Sequence, residues 1–68
     1  MNKNELMAVM ARNGDSGTAL AEYLGMARST FSLKINENGT EFTQGEISQI
    51  KSRYNLSPDE IDAIFFAD

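Results

Sequence analysis

Residues 20–36, LAEYLGMARSTFSLKIN, decide how this chain is read. Leu20, Ala21 and Leu24 recur at i, i+1 and i+4, one face of a helix. Gly25 follows where the chain must change direction, and glycine takes a left-handed conformation without steric cost. Met26 reopens the apolar pattern, and Phe31 and Ile35 continue it. The spacing predicts a short helix ending near Leu24, a tight turn, and a second helix over 28–36. On an ideal helix at about 100° per residue, Phe31 and Ile35 face a core. Ser29, Leu33 and Asn36 then lie on the opposite side.

Outward from this unit, helix-start signals recur. Asn2 can cap a first helix, with Glu5 closing a capping box and Met1 stapled to Leu6. Thr43 can cap a fourth, with Glu46 closing its box and Phe42 stapled to Ile47. Ser57 can cap a fifth, with Pro58 at the favoured first position, Glu60 closing the box and Leu56 stapled to Ile61. Ser16 can cap the second helix, whereas the third has Ala27 where a capping side chain is wanted. The first helix is expected over 3–13, stopping at Gly14 and burying Leu6, Val9 and Met10. The fourth buries Ile47, Ile50 and Tyr54, and the fifth Ile61, Ile64 and Phe65. The Asn38-Gly39 pair marks a turn. With no strand pattern and no repeat, the expectation is one all-α domain of five helices over residues 1–68.

Composition excludes several classes. At 68 residues the chain is near the lower limit for a self-sufficient core. It holds no cysteine and no histidine, which removes disulfides, thiolate zinc sites, the usual general base and the commonest metal ligand. Neither a metal nor a cofactor is expected. The acids Asp59, Glu60 and Asp62 sit in the first turn of a capped helix, which accounts for them without catalysis. No constellation supports an enzyme. No apolar run approaches the roughly 20 residues of a membrane span, and the first ten residues lack a signal-peptide pattern. A cytoplasmic protein is the expectation. The net charge is −4. Residues 1–40 balance Lys3, Arg12, Arg28 and Lys34 against Glu5, Asp15, Glu22 and Glu37, so the deficit lies in residues 41–68.

Two short helices joined by a glycine turn are how a helix-turn-helix module seats its second helix in a DNA major groove. The chain resembles the Cro and phage-repressor type of helix-turn-helix protein, the XRE family, in its small prophage-type form. The resemblance rests on Ser16, Leu20-Ala21-Glu22, Leu24-Gly25-Met26, Arg28-Ser29-Thr30-Phe31-Ser32 and Asn38-Gly39. Glu41-Phe42-Thr43 and Asn55-Leu56-Ser57-Pro58-Asp59-Glu60-Ile61 extend it. It implies a compact five-helix, lambda-repressor-like DNA-binding domain with the helix-turn-helix at helices 2 and 3. It further implies a transcriptional repressor acting as a homodimer on palindromic, operator-like double-stranded DNA. Four positions depart from the pattern. Gly17 stands where a glutamine usually reaches the DNA, Asp15 where an apolar residue is usual, Ala27 for Ser or Thr, and Leu33 where a polar residue is commoner.

The DNA-facing residues expected on this reading are Gly17, Thr18, Arg28, Ser29, Ser32, Leu33, Lys34 and Asn36. Arg28, Ser29 and Ser32 would meet base edges, with Arg28 suited to a guanine, and Lys34 and Asn36 would meet phosphates. The plain alternative makes Arg28 and Lys34 solvated cations. Leu33 touches a thymine methyl, belongs to a protein-binding surface, or is simply exposed. Thr18 lies where helix N–H groups attract phosphate, or is an ordinary helix-start residue. Arg12 meets a phosphate or complements the helix dipole. Ile64, Phe65 and Phe66 form an apolar terminus that packs on a second copy or partner, or folds back on the core. A neutral reading unit implies modest affinity with steep salt dependence. The competing function is a protein-binding antirepressor or modulator that uses the same scaffold to engage another regulator. The acidity, Asp15, Gly17 and Leu33 favour it.

Overall fold

The computed structural model describes residues 1–66, and every regular element within them is a helix. Its helices are α1 (Lys3–Arg12), α2 (Gly17–Leu24), α3 (Arg28–Ile35), α4 (Gln44–Tyr54) and α5 (Pro58–Phe65). α1 packs on α5, α2 on α3 and α4, and α4 on α5. Among the described residues there is no strand, and no helix is long and apolar enough to cross a membrane.

Four of the five helix starts follow from a side-chain cap. Ser16 accepts from the Ala19 N–H, and Thr43 and Ser57 each form a complete capping box with Glu46 and Glu60. At Asn2 only half the expected box forms. Its side chain accepts from the Glu5 N–H, but its own N–H goes to the Ile64 carbonyl at 2.6 Å. That bond ties the start of α1 to the end of α5, so Glu5 has no donor to reach back for. Ala27 offers α3 no side-chain cap. α1 ends at Arg12 and α3 at Ile35, with Asn13 and Asn36 as the caps that follow.

Gly25 ends α2 at φ 72°, in the left-handed region. The Met26 N–H then reaches back to the Ala21 carbonyl at 3.0 Å, and Met26 packs against the core. The Ala21 and Glu22 carbonyls near the end of α2 are thereby satisfied, and the chain leaves at an angle that lets α3 pack on it. Asn55 does the same at the end of α4 with φ 53°, where asparagine tolerates what most side chains do not.

The core holds Leu6, Val9 and Met10 of α1, Leu20, Ala21 and Leu24 of α2, and Phe31 and Ile35 of α3. It is completed by Ile50, Tyr54, Ile61 and Ile64. Phe42 and Leu56, expected as staples, are buried as deeply as the helix residues. Ile47 and Phe65, expected in the core, are only half-buried. Phe42, outside any helix, turns inward. It meets Phe31 edge-on at 5.8 Å and Phe65 edge-on at 6.0 Å.

The Thr43 hydroxyl accepts from the Glu46 N–H at 3.2 Å and the Glu46 carboxylate accepts from the Thr43 N–H at 2.9 Å. Thr43→Ala removes one of the two bonds, and is expected to cost about 1 kcal/mol. In a domain of this size that lowers the Tm by about 4–8 °C, readable by thermal melting; an unchanged Tm would mean that the cap carries no stability.

Candidate nucleic-acid interface

α3 presents two unlike sides. Phe31 and Ile35 are buried, while Ser29 is exposed, Leu33 is 44% exposed and Ser32 is partly so. Beside them, Thr18 is exposed in the first turn of α2 and Gly17 opens that helix. Arg28 is also exposed. Its Cζ lies 5.3 Å from the Phe31 ring centroid, a cation–π contact. A Cβ at Gly17 would fall 2.9 Å from Arg28 Nη2. Arg28 thereby links the first residue of α2 to the start of α3, the two helices that carry Thr18, Ser29, Ser32 and Leu33.

Two expected phosphate contacts are engaged elsewhere. Lys34 Nζ donates to both Glu46 carboxylate oxygens, at 2.7 and 3.0 Å. Both side chains are largely covered, so the pair joins the end of α3 to the start of α4. Burial pushes the Glu46 carboxyl up, but bonds from Lys34 and the Thr43 N–H outweigh it and the net displacement is downward. Asn36 donates from its amide to the Ser32 carbonyl at 2.9 Å and accepts from Lys3 Nζ at 2.7 Å. It closes the C-terminus of α3, where unpaired carbonyls need donors.

Ile64 corrects an expectation outright. At 1% exposure it belongs to the core and presents no surface to a second copy. The i, i+3 spacing from Ile61 turns it inward. Phe66 is 59% exposed, and Phe65 and Phe66 line a groove of about 480 Å³ with Phe42 and Ile47.

A cluster built on Asp15 was not legible as such. Its carboxylate accepts from Arg53 Nε at 2.7 Å and Nη2 at 3.0 Å, and from the Tyr54 hydroxyl at 2.7 Å. Arg53 also covers the Tyr23 ring, Cζ to centroid 4.6 Å. The loop before α2 is thereby fixed to α4, and the charge of Asp15 is matched by a bidentate guanidinium. Hydrogen bonds from Arg53 and then Tyr54 hold the Asp15 carboxyl down at about 2, against 3.8 ordinarily. Burial, followed by the carboxylate, pushes the Tyr54 hydroxyl above its usual range.

Because the folded value lies below the unfolded one, Asp15 stabilises the fold above about pH 4 and loses that contribution as pH falls towards 2. Asp15→Asn is expected to be less stable than the parent at pH 7, with the gap closing between pH 5 and 2. Urea midpoints of both proteins across that range check it. A constant gap would assign the effect to packing instead.

Among the described residues, no three His, Cys, Asp or Glu side chains gather as a metal site would require. No protein-family model, no curated protein and no solved structure matches this chain.

Proposed function

We propose that this chain is a sequence-specific DNA-binding regulator of transcription, with α2 and α3 acting as a lambda-repressor-like helix-turn-helix and α3 seated in the major groove. One observation carries the reading. Across the left-handed Gly25 joint α3 packs on α2, with Phe31 and Ile35 buried in the core and Ser29 and Leu33 facing solvent. An eight-residue helix exposed along its outer side, beside the exposed first turn of α2, has the form that enters a groove about 12 Å wide. Serine hydroxyls and leucine methyls are base-edge chemistry, the methyls favouring thymine. Two copies on successive grooves about 34 Å apart would read a palindrome.

The electrostatics modify one expectation. Of the two cations expected at the DNA, Arg28 and Lys34, the second is bound to Glu46, which leaves fewer charges there to displace counterions. Since the salt slope scales with the number of phosphates neutralised, a shallow dependence is now expected in place of a steep one. The test is selection from a random duplex pool, then titration of selected and scrambled duplexes at several salt concentrations. Preference for the selected sequence supports the reading; equal weak binding to both ends it.

A second reading, a modulator that engages another regulator, draws on the groove beside Phe66 and on the exposure of Leu33. Phe66→Asp separates the two. Loss of association with a protein, with DNA affinity of the monomer unchanged, would favour the second.

A further inference from the structure

We propose that Arg28 grips the DNA backbone and reads no base, and that the bare α-carbon of Gly17 holds it in that pose; this rests on the DNA-binding reading above. Arg28 precedes Phe31 by three residues, so it shares a flank with that inward residue and not the outer side with Ser29 and Leu33. The side chain follows that direction. Its Cζ is 5.3 Å from the Phe31 centroid. Its Nη2, Nε and Cζ lie 2.9–3.0 Å from where a Gly17 Cβ would be. The guanidinium thus occupies the volume of a side chain at position 17 and lies against the first residue of α2. In a helix-turn-helix the second helix enters the groove while the first crosses the sugar–phosphate backbone. A guanidinium folded onto the first helix faces phosphate, where its planar fork makes paired hydrogen bonds. Base edges are left to Ser29, Ser32 and Leu33. This also accounts for glycine at position 17, since any larger residue would displace Arg28.

The experiment uses the full chain and a duplex it selects from a random pool. Affinities for that duplex and its single-base-pair variants are measured at several salt concentrations for the parent, Arg28→Ala, Gly17→Ala and the double variant. Arg28→Ala is expected to weaken every duplex about equally, by about tenfold, and to lower the salt slope by about one. Gly17→Ala is expected to lose affinity in the parent but nothing further in the Arg28→Ala background, the non-additivity of two groups sharing one contact. Its Tm should not fall, because position 17 is not in the left-handed region and the displaced group is the mobile end of an arginine.

Relaxed preference at one base pair in Arg28→Ala, with the salt slope intact, would overturn the proposal and make Arg28 a base reader. Unchanged affinity in Arg28→Ala, or additive losses in the double variant, would overturn it equally. In both cases the parent's sequence preference stands. A parent that selects no sequence defeats the DNA-binding reading itself, and this inference with it.

Discussion

Phe31→Ala is expected to leave the chain largely unfolded at 25 °C. Phe31 is 1% exposed and among the largest fully buried side chains. It is the first of three rings in edge contact, Phe31 to Phe42 to Phe65, which join α3 to the loop before α4 and to α5. Truncating a buried phenylalanine costs about 3–5 kcal/mol through lost burial and the cavity left behind. A core of this size rarely supplies more than about 3–5 kcal/mol in total, so one substitution consumes most or all of it. Far-ultraviolet circular dichroism and a urea titration read the outcome. Retained helicity and a near-parental midpoint would show that the aromatic chain is not what holds α3. Phe66→Ala is the control: an exposed ring outside the core should shift stability by no more than about 0.5 kcal/mol.

Leu33→Asp is expected to lower DNA affinity at least about 100-fold while leaving the fold intact. At 44% exposure Leu33 contributes little to the core, and surface substitutions change stability within about ±0.5 kcal/mol. On the proposed groove-facing side, however, the aspartate sets an anion among phosphates. Opposing like charges at an interface costs several kcal/mol, and the apolar contact is lost as well. Equal melting curves with DNA binding abolished is the expected pair of results. Parental affinity in Leu33→Asp would mean that the outer side of α3 does not meet DNA.

The helices were legible because their boundaries are written locally. Ser16, Thr43 and Ser57 announce themselves as caps, Gly25 as a left-handed joint, and the i, i+3, i+4 recurrences select the buried side of each helix. Legibility failed wherever a partner comes from far along the chain. Nothing near Asp15 in sequence points to Arg53 and Tyr54, 38 and 39 residues away. Nothing near Lys34 points to Glu46, since that acid already had a local role in its capping box. Asn2 lost half of its box to the Ile64 carbonyl for the same reason. Periodicity placed Ile64 in the fifth-helix core, and its proposed second role at a surface is incompatible with that position. Ile47 satisfies the helical spacing yet stays half-buried, while Phe42, outside any helix, reaches the core, because burial is settled by packing. For the candidate site, the outward side of α3 was readable from a wheel. The direction of Arg28 was not, since it depends on the space left open by Gly17 on another helix.

The most direct trial of α3 as the DNA-reading element is a titration of the isotopically labelled protein with its selected duplex, followed by amide chemical shifts. Shifts concentrated on residues 17–18 and 28–33, with α4 and α5 little changed, are expected. Shifts centred on Phe42, Ile47 and Phe65 instead, or none anywhere at saturating duplex, would show that this surface serves another partner.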